Sequence, residues 1–113
     1  MDKIEHYRNL IKKILTEYNR LVTERYTNDA EMLLAFDEER DQYLWFQVGW
    51  KENKRVRGIT VHARIKNSKI WIEEDWTEEG IANELLREGV PPSDIVLAFH
   101  HPEDRPLTDF AVA

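Results

Sequence analysis

The residues best suited to chemistry lie in one short stretch, DIVLAFHHPEDRP, at positions 94–106. Its candidate groups are His100, His101, Glu103 and Asp104. Imidazole and carboxylate groups are suitable ligands for zinc and iron. With His62 as a further candidate ligand, this segment could form the metal site of a hydrolase.

The spacing of these groups argues against such a site. Adjacent side chains of a strand point to opposite faces, so His100 and His101 cannot easily share one ion. The chain has no HExxH motif, no GxSxG motif and no cysteine, and its four glycines are scattered singly. The favoured interpretation is a buried strand that leads into a structured turn, with Arg105 pairing with a nearby acid. We therefore predict no catalytic residue, metal ligand or cofactor.

A second candidate site is a basic hairpin at residues 51–69, where seven Lys or Arg residues occur with a single Glu in a chain of net charge −6. Lys54, Arg55 and Arg57 could contact DNA phosphates as part of a two-stranded ribbon. In the alternative, which the acidic remainder of the chain favours, the hairpin neutralises the acids at 73–75 across the sheet. An acidic protein partner is a third interpretation.

The elements that position these residues follow from hydrophobic periodicity. Apolar residues recur every three or four positions over residues 2–25, which predicts a long helix. Asp2 is its predicted N-cap, with Glu5 three residues later, and Asn28-Asp29 predicts the following turn. An antiparallel meander of about four strands is predicted at 31–36, 42–51, 55–66 and 69–75.

Two local signals set the predicted register of the third strand. Val56 is out of phase with Ile59, which is expected to point inward, so a β-bulge is predicted at Arg57-Gly58. A two-residue loop at Asn67-Ser68 joins the third and fourth strands. This loop pairs Ile65 with Ile70, Ala63 with Ile72, Arg64 with Trp71, and His62 with Glu73.

The C-terminal third is predicted to contain one helix and one short strand. Thr77 is the predicted N-cap of a helix at 78–88, which Gly89 follows. A short β-like run at 95–99 precedes an extended tail.

Alternation along the second strand divides its apolar residues between two faces. Leu44, Phe46, Val48 and Trp50 share one face, and Tyr43 and Trp45 are predicted to lie on the outer face. Large aromatic residues on an outer face suggest a covering partner. The candidate protein interface is therefore Tyr43, Trp45, His62, Arg64 and Trp71. In the alternative, the first helix covers one face and the C-terminal segment covers the other. A two-fold homo-oligomer through the aromatic face is a further prediction.

Composition is consistent with one domain spanning residues 1–113. The chain is 42% hydrophobic and 34% charged, which allows a real core. The absence of cysteine excludes disulfides and thiolate metal sites and favours the cytoplasm. We see no signal peptide at the charged N-terminus, and no run of the ~20 apolar residues that a membrane span needs.

Several segments resemble a known family over essentially the whole chain. They are KIEHYRNLIKKILTEY, YLWFQVGW, RVRGITVHARI, KIWIEEDWTEEGIA, TEEGIANELL, GVPPSDIVLAFHHPEDRP and the final FAVA. These segments resemble the XisI family, called fdxN element excision controlling factors, which occurs mainly in cyanobacteria. One departure is the pair His100-His101, where a single histidine before the proline is more usual in the family.

The resemblance implies a non-enzymatic accessory factor for programmed excision of a DNA element. It implies contacts with a nuclease-related XisH-like companion, with the separate site-specific recombinase that carries out the strand chemistry, or with both. It provides no established catalytic residues. We therefore expect an α+β domain that acts through protein contacts, with direct DNA binding by hairpin 51–69 as the runner-up. A metal-dependent hydrolase at 100–104 is the weaker third hypothesis.

Overall fold

The computed structural model describes residues 2–25 and 30–113. The predicted turn at Asn28-Asp29 lies outside the described residues. The helices are α1 (Lys3–Arg25) and α2 (Ile81–Arg87), and the strands are β1 (Ala30–Asp37), β2 (Gln42–Lys51), β3 (Lys54–Lys66), β4 (Lys69–Asp75) and β5 (Ile95–Leu97). The predicted α+β class is confirmed. No helix in the described part of the chain is long and apolar enough to cross a membrane.

The five strands form one sheet in the order β1-β2-β3-β4-β5. The first four strands are antiparallel neighbours, as predicted for a meander. β5 pairs with β4 in the parallel direction, because α2 carries the chain back across one face before β5 begins. β5 ends at Leu97, so the predicted run at 95–99 is two residues too long.

α1 begins as predicted and covers one face of the sheet. The Asp2 carboxylate accepts a hydrogen bond of 2.7 Å from the Glu5 backbone N–H, which confirms the N-cap. One stripe of the helix is buried against the sheet, where it forms the core with inward residues of β2, β3 and β4. The buried stripe consists of Tyr7, Leu10, Ile11, Ile14 and Leu15.

The predicted orientation of β2 is wrong. Tyr43 and Trp45 point toward α1 and are only 0% and 4% exposed. Both alternating sets of β2 are apolar, so periodicity could not show which set faces the helix. Hydrogen bonds favour the observed orientation. The Tyr43 hydroxyl donates to Asp41 at 2.9 Å, and the Trp45 indole N–H donates to Asn19 of α1 at 3.0 Å.

The bulge in β3 lies at Thr60, not at the predicted Arg57-Gly58. Trp45 pairs with Val61 and Phe46 pairs with Ile59, which leaves Thr60 as the extra residue. The bulge brings Val61 into the core opposite Trp45 and turns Ile59 away from α1, contrary to prediction. A bulge can occur without glycine when the extra residue is near the α conformation, so Gly58 was a misleading signal.

The β3–β4 turn matches the prediction. Asn67 and Ser68 both have positive φ, at 54° and 63°, as a type I′ turn requires. The predicted pairs Ile65↔Ile70, Ala63↔Ile72 and Arg64↔Trp71 are confirmed. His62 pairs with Glu74 rather than with Glu73, because a second irregularity follows His62.

α2 starts three residues later than predicted and has a different cap. The Asp75 carboxylate accepts from the backbone N–H of Thr77 at 2.9 Å and of Ile81 at 2.7 Å. Thr77 instead accepts from the Gly80 N–H through its hydroxyl. Asp75 therefore satisfies the N–H of Ile81, the first helical residue, which is one of the N–H groups that a helix leaves open at its start. Gly89, with φ 94°, ends the helix as predicted.

Candidate protein-interaction surface

The histidine segment does not converge on one point. The His101 Nδ1 accepts from the Glu103 backbone N–H at 3.1 Å, and the His100 ring packs against Phe99 with centroids 4.7 Å apart. Within residues 2–25 and 30–113, no three His, Cys, Asp or Glu side chains are placed to hold a metal ion together. The segment is a turn that follows β5, in keeping with the interpretation of a strand leading into a turn.

Arg105 organises this turn through backbone carbonyls rather than through the predicted ion pair. Its guanidinium donates to the carbonyl oxygens of Ala98 at 3.2 Å, His100 at 3.1 Å and Val112 at 3.4 Å. The predicted ion pair with a nearby acid is wrong, because the turn aims its carbonyls at Arg105 while Glu103 and Asp104 face solvent. Arg105 thus ties the final residues to β5.

The same segment covers Trp71. This side chain lies on the sheet face away from α1 but is only 7% exposed. Its indole N–H donates to the Lys66 carbonyl at 3.0 Å, and the Arg105 guanidinium lies 5.5 Å from the ring centroid. Ala111 bridges to Val96 beside it. The alternative in which the C-terminal segment covers the second face is therefore correct at this end of the sheet.

The five predicted interface residues do not form one exposed surface. Tyr43 and Trp45 face α1, and Trp71 lies under the C-terminal segment. His62 and Arg64 do lie on the face away from α1, where Arg64 Nε donates to Glu73 at 2.8 Å and His62 Nε2 lies 2.7 Å from the Gln42 side-chain oxygen. Tyr43 and Trp45 were predicted to be exposed because the orientation of β2 was predicted wrongly, and both belong to the core.

Apart from Ala35, the exposed apolar surface of the sheet consists of residues that were predicted to be inside. We call it the open face, and its apolar residues are Ala35, Leu44, Phe46, Val48 and Ile59. They line a shallow cleft of about 640 Å³, with Arg57 and Glu74 at its rim. Neither α1 nor the C-terminal segment covers this part of the sheet. Alternation along β2 predicted that Leu44, Phe46 and Val48 share one face, but it did not show whether that face is buried or exposed.

The groups with shifted pKa values lie elsewhere and serve the fold. A side-chain hydrogen bond from Arg8 holds the pKa of Asp41 below its usual range, despite partial burial. Burial tends to raise the pKa of Asp94, but hydrogen bonds from Lys3 and Tyr7 lower it overall. Both carboxylates fasten α1 to the body of the domain. Their pKa shifts are thus accounted for by structural contacts.

The hairpin of β2 and β3 ends in exposed cations. Lys51, Lys54, Arg55 and Arg57 are all exposed, and none has a salt bridge within the described residues. Arg55 packs over the Trp50 ring at 5.5 Å. Neutralisation by the acids at 73–75 is therefore observed for Arg64 at the base of the hairpin but not for its tip.

Comparison with known proteins identifies the family. Residues 1–112 match the family described as XisI protein. The chain belongs to the XisI family. This confirms the resemblance found in the sequence.

Two solved XisI structures share the fold over nearly the whole chain. The fdxN element excision controlling factor XisI from Anabaena variabilis is 47% identical, with a TM-score of 0.87, and the match covers 99% of this chain and 100% of that one. A XisI-like protein from the same organism is 38% identical, with a TM-score of 0.89, and the match covers 97% and 99%. No curated protein matches the chain.

Proposed function

We propose that this chain is a controlling factor for excision of a DNA element and that it acts by binding a protein partner, without catalysing a reaction. The support is a solved relative, 47% identical over its whole length, which is described as an excision controlling factor. That description names control rather than catalysis. The proposal includes a cytoplasmic location, which the lack of cysteine favours.

The observation that carries the proposal is the open face. Helices cover one side of the sheet, and the C-terminal segment covers the far end of the other side. The remaining apolar side chains of β1, β2 and β3 stay in contact with water, with Ile59 41% exposed. A contiguous apolar patch with a charged rim is typical of a protein-binding surface.

The partner that we propose is the XisH-like companion implied by the family resemblance. A nuclease-related companion would supply chemistry that the XisI-like chain lacks, and the recombinase would act on the DNA ends. The open face is then the surface at which this chain meets the companion. Its apolar centre would supply affinity, and Arg57 and Glu74 at the rim would help to orient the partner.

The test is light-scattering mass on a size-exclusion column, with the protein alone and with its XisH-like companion. A mixed species is expected at micromolar concentration. Ala35→Glu places a charge on the open face without removing apolar volume, so affinity is expected to fall by about tenfold or more. Thr16→Glu on the exposed side of α1 is the control and should bind as wild type. Equal binding by both variants would exclude the open face.

A second candidate function is direct DNA contact. The cations of the hairpin tip favour it, since none of them has a salt bridge among the described residues. If the tip binds phosphates, duplex affinity should fall steeply with salt. Arg55→Ala combined with Arg57→Ala should lower the slope of log affinity against log salt by about 0.9 per lost phosphate contact. Fluorescence anisotropy with a labelled duplex measures this slope. A slope unchanged by the double variant would rule out phosphate contacts by these two residues.

A further inference from the structure

β3 has a free edge that follows from unequal strand lengths. β3 has 13 residues and β4 has 7, and their pairing extends only as far as Val61. Beyond that point the Trp76 backbone N–H donates to the Thr60 carbonyl at 2.9 Å, and the chain leaves toward α2. Within the described residues, positions 54–59 are thus paired with β2 on one side and with no strand on the other. We call this edge the β3 notch.

Two clefts meet the β3 notch from opposite faces of the sheet. The cleft of the open face reaches it at Arg57, Gly58 and Ile59. A second cleft of about 510 Å³ lies on the α1 side, where Tyr18, Trp45 and Trp76 provide aromatic walls, and it reaches β3 at Thr60, next to the inner end of the notch. Successive side chains of a strand point to opposite faces. A strand added at the notch would therefore direct alternate side chains into the two clefts.

Exposed apolar side chains are concentrated around the β3 notch. Trp76, at its inner end, is 77% exposed, and Trp50, on the strand paired with its outer end, is 56% exposed. Ile59 belongs to the notch itself. Unpaired backbone N–H and C=O groups next to exposed aromatic residues form a template for strand addition, in which backbone hydrogen bonds give affinity and side-chain clefts give specificity.

Charge indicates which kind of strand fits. Lys54, Arg55 and Arg57 lie along the notch without salt bridges among the described residues. A second copy of this chain would bring the same cations opposite one another, which is unfavourable. A segment with carboxylates next to these cations would be attracted instead. On the α1 side the cleft is aromatic and also lined by glutamates, which favours an uncharged side chain there.

We propose that an extended acidic segment of the protein partner adds to the β3 notch as a sixth strand. Its carboxylates contact Arg55 and Arg57, and its apolar side chains occupy the two clefts. This inference rests on the proposed function, because it describes how the XisH-like companion docks beside the open face.

Hydrogen–deuterium exchange of the chain, alone and with its XisH-like companion, tests the backbone part of the proposal. Amides of residues 54–59 are expected to become at least tenfold slower to exchange in the complex. A complex without this protection overturns the sixth strand and leaves the proposed function standing. Failure to form any complex overturns both. Protection by a DNA duplex but not by the companion assigns the tip to DNA and also overturns the sixth strand.

Matched variants test the side chains. Arg55→Glu with Arg57→Glu is expected to weaken companion binding by about tenfold or more. Lys13→Glu with Lys66→Glu makes the same charge change on α1 and at the opposite end of β3, and it should have an effect below about twofold, since those sites lie away from the notch. Trp76→Ala should weaken binding, whereas Leu107→Ala, which removes another exposed apolar side chain, should not. Equal effects within either pair contradict the proposal.

Discussion

Trp45→Ala is expected to lower the free energy of unfolding by about 3–5 kcal/mol, as is typical for truncation of a large buried aromatic residue. The Trp45 ring is buried against α1 and stacks with Tyr18 at 6.1 Å between centroids. Its indole N–H also satisfies the Asn19 side chain. Alanine would leave a cavity between the sheet and the helix and an unpaired amide oxygen. Urea denaturation followed by circular dichroism measures the change.

Trp50→Ala is the matched control for this substitution. Trp50 lies on the same strand but is exposed at the hairpin tip, so its loss should cost about 1 kcal/mol or less. The contrast distinguishes the core position of Trp45 from the outer position that the sequence suggested. Similar, small losses in both variants would mean that Trp45 is not a core residue.

Arg105→Ala is expected to lower the free energy of unfolding by about 2–3 kcal/mol, because hydrogen bonds to a charged donor are strong. The guanidinium holds carbonyls on both sides of the turn, including that of Val112 near the C-terminus, and packs over Trp71. Without it, the C-terminal segment should separate more often from the sheet. Amide exchange over residues 98–113 is therefore expected to accelerate along with the loss of stability.

The control is Arg87→Ala. Arg87 pairs with Glu79 and Glu84 on an exposed surface, where ion pairs contribute about 1 kcal/mol or less. Its removal should leave exchange over residues 98–113 unchanged. If Arg105→Ala behaved in the same way, the C-terminal segment would be held by its other contacts, which include the hydrogen bond from the Ala111 N–H to the Ile95 carbonyl.

Local signals in the sequence were sufficient for the elements that depend on local contacts. The Asp2 cap, the stripe of α1 and the type I′ turn at Asn67 and Ser68 each involve residues within a few positions of one another. The backbone and the side chains there are constrained by neighbours along the chain. Their structures were therefore predictable without knowledge of the sheet.

The errors arose where distant segments decide the outcome. Which face of β2 is buried depends on Asn19 of α1 and on the position of the bulge at Thr60, and neither is encoded in the alternation itself. The parallel pairing of β5 depends on the crossover through α2. The candidate interface was chosen from the presumed outer face. Because the predicted orientation of β2 was wrong, Tyr43 and Trp45 were assigned to the surface, whereas they lie in the core.

The surface position of the hairpin-tip cations could be inferred from their charge alone. Lys54, Arg55 and Arg57 are costly to bury without partners, so they were expected at the surface, where the structure places them. The β3 notch beside them could not be predicted. It arises from the difference in length between two paired strands and from the departure of the chain at Trp76.

The anchoring of α1 has a consequence for how the protein is made. The first helical turn is fastened through Asp94, which accepts a hydrogen bond from Tyr7 at 2.5 Å and a salt bridge from Lys3 at 2.8 Å. Tyr7 and Asp94 are 87 positions apart in the chain. Because synthesis proceeds from Tyr7 toward Asp94, this anchor can form only after the four strands β1 to β4 that lie between them have been made.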